Sequence, residues 1–245
     1  MRRILFSWNG LDIYSYPAML YVGLLVGIFA GGGVAKHLGL NPDRFATALL
    51  ILLVPALVGS RLFFVLMHWD AFRSDLGRIW RRGDGGMAMY GGLILAVPLS
   101  VAVLGALHLP FGPFWDAATF SILIGMAFTR VGCLLNGCCS GRPTERWFGL
   151  DLPDHRGRWR RRIPTQLLEM AWAAALLIGG AATLANGPFA GSIFCMAVVG
   201  YAVGRTLFET LREDYTGGRQ SVVIRSTSIL LTLAALGGAI LAWPR

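Results

Sequence analysis

The amino-acid sequence predicts an all-α, polytopic integral membrane protein with seven transmembrane helices. Three observations carry that prediction. Apolar residues make up 55% of the 245 residues and charged residues only 14%, a balance outside that of soluble globular domains. Seven apolar windows approach the roughly twenty residues that cross a hydrocarbon core. Proline and glycine punctuate the joins between them, at Asn41-Pro42, Leu109-Pro110, Gly112-Pro113, Ile163-Pro164 and Gly187-Pro188, where one helix must stop and the next begin.

The windows run at about 16–36, 46–67, 88–108, 114–135, 165–186, 188–211 and 224–243, and residues 1–245 read as one transmembrane domain. Small residues in YVGLLVGIFAGGG (Tyr21 to Gly33) and LLIGGAA (Leu176 to Ala182) let helix backbones approach closely. Connections near 37–45, 109–113 and 187 are short. Those at about 68–87, 136–164 and 212–223 are long, polar and rich in arginine, and they share one face with the N-terminus. MRRILFSWNG lacks an apolar run ending in a small-residue cleavage site, so no cleaved signal peptide is expected.

The formal net charge is +9, and Lys36 is the sole lysine. The arginines are divided among short inter-span loops and form no single basic domain, which argues against nucleic acid and for anionic membrane lipids as partners. Sixteen of the 22 basic residues lie on the long-loop face and three (Lys36, Arg44, Arg245) on the other. Taken alone, the positive-inside rule puts that face in the cytoplasm.

Arg61, Arg130 and Arg205 remain within or at the ends of spans. An arginine at the centre of a membrane helix costs about 2.5–3.5 kcal/mol on insertion scales, so each requires a partner or a watery cavity. In YAVGRTLFETLRED, the residues Tyr201, Arg205, Glu209 and Arg212 recur along one side of the sixth helix. That stripe is either an internal Arg205–Glu209 pair with a snorkelling Arg212, or one wall of an anion pocket. In RIPTQLLEMAW, Gln166 and Glu169 follow Pro164; Glu169 is either a plain counter-ion for Arg130 or Arg142 or part of a site. GDGGMAMYGGL surrounds Tyr90 with glycines, including Gly91 and Gly92, which permit close approach of a ligand or a helix. Tyr16 is an interfacial anchor or a functional hydroxyl.

FTRVGCLLNGCCSGRPTERW closes the fourth span with Arg130, Asn136 and Arg142 as donors able to converge on a phosphate. Cys133, Cys138 and Cys139, with only His155 further along, lack the paired spacing of a four-ligand zinc site, and no metal is expected. Packing is the default for such cysteines and a reactive thiol the alternative.

These segments resemble the prolipoprotein diacylglyceryl transferase family, nearly end to end. RVGCLLNGCCSGR is similar to the family signature R-x-G-N-F-x-N-G-E-x-x-G-R through Arg130, Gly132, Asn136, Gly137, Gly141 and Arg142. IPTQLLE resembles H-P-S-Q-L-Y-E through Pro164, Gln166 and Glu169, and YAVGRTLFETLR resembles Y-G-x-x-R-x-x-x-E-x-x-R through Tyr201, Arg205, Glu209 and Arg212. Gly59-Ser60-Arg61 matches the family's G-x-R, and DGGMAMYGGL its D-G-G-M-x-x-H-G-G-L.

The resemblance implies a multi-pass enzyme of the bacterial inner membrane. It moves the diacylglyceryl group of phosphatidylglycerol to the thiol of a lipobox cysteine in a prolipoprotein signal peptide and releases glycerol phosphate. No cofactor is implied. It assigns catalysis to Arg130, Arg205, Tyr90 and Tyr16, and substrate binding to Arg61, Asn136, Gly137, Arg142, Gln166, Glu169, Tyr201, Glu209, Arg212, Gly91 and Gly92. It also turns the N-terminus and long loops away from the cytoplasm, against the charge bias. The chain departs from the pattern in having Tyr90 for the family histidine, and Cys133 and Cys138 for asparagine and glutamate. Those departures keep two alternatives: a transferase of the same fold with a non-lipoprotein acceptor, and a non-catalytic lipid or anion carrier.

Overall fold

The structure, a computed structural model, describes residues 2–80, 88–153, 157–213 and 218–242. Asp84, Gly85, Gly86 and Met87 of the glycine-rich stretch, and also His155, lie outside the described residues. Among the described residues, seven helices are long and apolar enough to cross a membrane: α1 (Ser15–His37), α2 (Pro42–Met67), α4 (Met89–Ala106), α5 (Phe111–Asn136), α6 (Thr165–Thr183), α7 (Ser192–Glu209) and α8 (Arg219–Ala242). This is the seven-span, all-α membrane architecture that composition and hydropathy predict. Between the spans lie a short α3 (Trp69–Phe72), a 3-10 turn (Leu76–Trp80) and two antiparallel hairpins. One hairpin pairs β1 (Ile4–Trp8) with β2 (Leu11–Tyr14), and the other pairs β3 (Leu150–Pro153) with β4 (Trp159–Arg162). Both hairpins were absent from the expected elements, as were α3 and the 3-10 turn.

α5 is the central post. It packs on α1, α6 and α7, while α2 pairs with α4 and α7 with α8. The α1–α5 contact runs through Gly23, Gly27 and Gly31, four residues apart on one face. A Cβ on Gly27 would come within 2.7 Å of the Ser121 carbonyl oxygen, and one on Gly23 within 2.7 Å of Phe128 Cβ. With no hydrophobic drive between helices in lipid, this close packing supplies the dispersion contacts that hold the pair. Gly59 on α2 meets Gly91 on α4 in the same way.

Helix ends are fixed by polar groups. The Asn41 side chain accepts from the amides of Asp43 and Arg44 at 3.0 Å, capping α2 ahead of Pro42. α7 begins at Ser192 rather than at 188, because Gly191 sits in the left-handed region (φ 101°). The buried Asp116 carboxylate of α5 receives the amides of Gly191 at 2.6 Å and Phe194 at 3.0 Å. A carboxylate at a helix N-terminus satisfies otherwise orphaned donors and complements the helix dipole.

Replacing Gly91 with alanine puts a Cβ 2.2 Å from the Gly59 carbonyl oxygen, and the overpacking should cost about 1–3 kcal/mol of stability. Gly33→Ala, where a Cβ meets nothing within 4 Å, should be neutral or stabilising by up to about 1 kcal/mol. Unfolding of both variants in detergent micelles checks the contrast.

Candidate active site

The polar residues collect at one end of the bundle, where α5 and α7 finish and α1, α4 and α6 begin. Gly137 ends α5 in the left-handed region, φ 74°, a conformation that glycine adopts at low cost. The Cys138 amide then donates to the Cys133 carbonyl at 3.1 Å, so the chain turns back over the last helical turn in a Schellman-type cap. Cys139 follows, itself left-handed at φ 62°. The returning loop is pinned to the start of α6: Gln166 Nε2 donates to the Cys138 carbonyl and Thr165 Oγ1 to the Cys139 carbonyl, both at 2.7 Å. Hydrogen bonds from the Cys133 and Cys138 thiols push the Cys139 thiol well below its usual range; burial opposes this, while Arg212 and Arg130 add to it.

One turn along α6, the buried Glu169 forms an ion pair with Arg130, and its Oε1 lies 3.9 Å from Arg212 Nη1. On α7, Arg205 Nη2 pairs with Glu209 Oε2 at 2.7 Å. Arg130, Arg205, Glu209 and Arg212 all line one cavity of about 550 Å³, together with Tyr16, Tyr90, Tyr201 and the three clustered cysteines. Three guanidiniums thus face two carboxylates, with the Cys139 thiol on the same wall. Among the described residues, Arg130 Nε and Arg205 Nη1 are buried and find no acceptor. Buried donors in this state are uncommon in folded proteins and mark a place where a ligand or water completes the bonding.

An apolar hollow of about 290 Å³ among α1, α2, α4 and α5 adjoins the cavity, with Met89, Ile122 and Thr129 common to both. Leu24, Leu49 and Leu53 form part of its wall. A hydrocarbon tail and a charged headgroup therefore find adjoining surroundings.

The other residues singled out by sequence fall elsewhere. Arg61 donates from Nε to the Ile79 carbonyl at 2.7 Å and from Nη2 to the Arg78 carbonyl at 3.3 Å, with its guanidinium over the Phe64 and Phe72 rings. It fastens the segment after α2 and does not line the cavity. Gly91 and Gly92 face α2 for packing, where a Cβ on Gly92 would come within 2.9 Å of the Ala56 carbonyl oxygen. Asn136 closes α5 and accepts from Arg3 Nε on its carbonyl at 3.3 Å. Arg142 is exposed and ties its loop to the end of α7: its amide donates to the Leu211 carbonyl at 2.9 Å and its Nε to the Arg212 carbonyl at 3.2 Å. The Tyr90 hydroxyl bonds Ser228 Oγ of α8 at 2.5 Å, and its ring meets Tyr201 edge-on at 5.4 Å.

Two residues had escaped notice. His68, which ends α2, lines the cavity; its Nδ1 lies 2.9 Å from the Phe64 carbonyl, which makes Nδ1 the protonated nitrogen. Arg162, counted only among the basic residues of the 136–164 loop, is 1% exposed and pairs with Glu213 at 2.6 Å.

The sequence profile of the prolipoprotein diacylglyceryl transferase family matches residues 3–243. The chain belongs to this family. Relatives include the phosphatidylglycerol–prolipoprotein diacylglyceryl transferases of Shouchella clausii, 29% identical over 248 residues (96% of this chain, 87% of that one), and of Geobacillus kaustophilus, 30% identical over 249 residues (95% and 90%). That of Halalkalibacterium halodurans is 27% identical over 256 residues (99% and 86%). Family membership and seven apolar helices together make the chain a multi-pass membrane transferase.

Glu169→Gln keeps the shape of the side chain and leaves Arg130 without its counter-charge. Stripping one partner from a buried pair should cost about 3–5 kcal/mol, and adding Arg130→Gln should recover part of that loss. Unfolding of the two single variants and the double variant in detergent measures the coupling.

Proposed function

We propose that this chain transfers the diacylglyceryl group of phosphatidylglycerol to the thiol of a lipobox cysteine in a prolipoprotein signal peptide, at the outer face of the bacterial inner membrane. The relatives carry this activity in their names. One observation carries the reading to these residues: guanidiniums from two separate spans, Arg130 and Arg205, line a single cavity with donors to spare.

The chemistry asks for what that cavity holds. The acceptor sulfur attacks the glyceryl carbon that bears the phosphate ester, and glycerol phosphate departs with the carbon–oxygen bonding pair. Charge therefore grows on phosphate in the transition state, where fixed guanidiniums in a water-poor hollow stabilise it without reorganising. Arg130 and Arg205 take the phosphate, with Arg212 beside them. Glu169 and Glu209 position those arginines and prevent bare positive charge in the empty site. The apolar hollow beyond Met89 and Ile122 receives acyl chain, and Tyr16 and Tyr201 border the headgroup. Gln166 acts at one remove, by fixing the loop that follows α5.

The outward orientation of the long-loop face runs against the arginine count and rests on the family; long loops obey the charge rule poorly, and Arg162 and Arg142 are held within the protein, Arg162 paired with Glu213 and Arg142 bonded across the loop.

Arg130→Ala and Arg205→Ala should each lower transfer of labelled diacylglyceryl to a lipobox peptide by roughly 100-fold or more while the protein still inserts; near-normal activity in either removes the phosphate role. Arg160, exposed on β4, gives a handle on orientation. A cysteine placed there should react with a membrane-impermeant maleimide added outside spheroplasts, and protection until lysis would reverse the topology.

A further inference from the structure

Nothing in phosphate binding calls for the thiols of Cys133, Cys138 and Cys139, yet all three line the cavity that holds Arg130 and Arg205. Their sulfur atoms lie within 4.8 Å of one another. Zinc bonded to thiolate sulfur at about 2.3 Å spaces tetrahedral ligands roughly 3.8 Å apart, so modest rotations of three side chains would seat the ion. The spacing in sequence argued against a metal here, because the usual four-ligand pattern is absent. The helix cap creates the cluster: the left-handed turn at Gly137 folds Cys138 back onto Cys133, and the left-handed backbone at Cys139, uncommon for a residue with a side chain, brings the third thiol in. Thr165 and Gln166 hold that loop by its two cysteine carbonyls.

Charge and coordination number point the same way. Three thiolates together at a membrane boundary would be untenable alone, whereas a divalent cation balances them with help from Arg130, whose Nη1 lies 4.0 Å from Cys133 Sγ. Among the described residues no further histidine, cysteine or carboxylate joins the group. Three protein ligands beside an open cavity are the arrangement of zinc sites that keep one position for water or substrate. Glu209 is tied to Arg205, and a tyrosine with an ordinary value near 10 is almost wholly the neutral phenol at pH 7, a poor base; His68, whose Nδ1 faces the Phe64 carbonyl, is the rival base on the wall.

We propose that Cys133, Cys138 and Cys139 hold one zinc ion, and that its fourth position receives the acceptor cysteine of the substrate as a thiolate. This deepens the transfer reading above and rests on it. On coordination the acceptor thiol loses its proton to water, as thiols bound to zinc do. Its sulfur lone pair then forms the new sulfur–carbon bond as the carbon–oxygen bond to phosphate breaks. The departing phosphate oxygen keeps that electron pair and takes up one proton, so no oxidant or reductant enters.

The test uses the full-length protein purified in detergent under argon. Zinc content should be about one ion per chain, fall to background in Cys133→Ser and Cys139→Ser, and persist in Cys195→Ser, whose thiol lies outside the cluster. Thermal melting of the same samples separates loss of metal from loss of fold. Should the serine variants unfold, stripping wild type with a chelator and titrating zinc or cobalt back gives the stoichiometry instead. The cobalt-loaded protein should show sulfur-to-cobalt charge transfer that changes on addition of a lipobox peptide and not of its cysteine-to-serine form. Chelation should lower transfer roughly 100-fold, restored by zinc. Background zinc in wild type, a disulfide among the three cysteines, or a cobalt spectrum indifferent to the peptide would overturn the proposal. So would transfer that survives chelation but is lost in His68→Ala, since the proton would then go to His68. Metal content and spectra are read without turnover, so a protein that binds zinc through these thiols but transfers nothing would contradict the transfer reading, not the site.

Discussion

A carboxylate held between guanidiniums from two different segments, Glu169 between Arg130 and Arg212, ties α5, α6 and the end of α7 together at the membrane boundary. The constraint behind it is simple: a guanidinium placed at this depth costs several kcal/mol unless its charge is answered. Glu169 answers two of them only in part, and Arg205 is answered by Glu209 within its own helix. The spare donors of Arg130 and Arg205 then have one direction left to go, into the shared cavity, and the phosphate proposed above would satisfy them.

The rest of the bundle serves to hold that arrangement open. Glycine faces let α1 close on α5 and α2 close on α4, and the tight pairs leave the space between them to the apolar hollow, which shares Met89, Ile122 and Thr129 with the arginine-lined cavity. Remote caps do comparable work. Asp116 fixes where α7 begins, and so sets the rotation that brings Arg205 and Glu209 inward; Thr165 and Gln166 fix the loop beyond α5 from the first turn of α6. Binding site and scaffold thus share residues, which is why charges at this end of the bundle are seldom solitary.

Much of this was legible in the sequence, and the reasons it was legible are physical. A bilayer admits few solutions, so apolar length and proline or glycine breaks located seven spans. The recurrence every three or four residues from Tyr201 to Arg212 gave the inward stripe, because helical periodicity is a local property. What was not legible depends on long-range contact. The β1–β2 hairpin did have a local signal in Asn9-Gly10, both at positive φ, a dipeptide suited to tight hairpin turns. By contrast, nothing near Arg61 showed that it would be spent on the Arg78 and Ile79 carbonyls, nor did anything near Arg162 show that it would be buried against Glu213. The cysteine cluster is the sharpest case. Its spacing matches no familiar ligand pattern, and only the capped end of α5 brings the sulfurs together.

In the proposed site Arg130 and Arg205 share one phosphate. Affinity for phosphatidylglycerol, measured by native mass spectrometry on wild type, Arg130→Ala, Arg205→Ala and the double variant, tests this through a thermodynamic cycle. Groups that grip one phosphate together should be strongly non-additive, with each single variant losing most of the binding and the double variant little more. Losses that simply add would mean two independent surroundings, and the shared site would not exist.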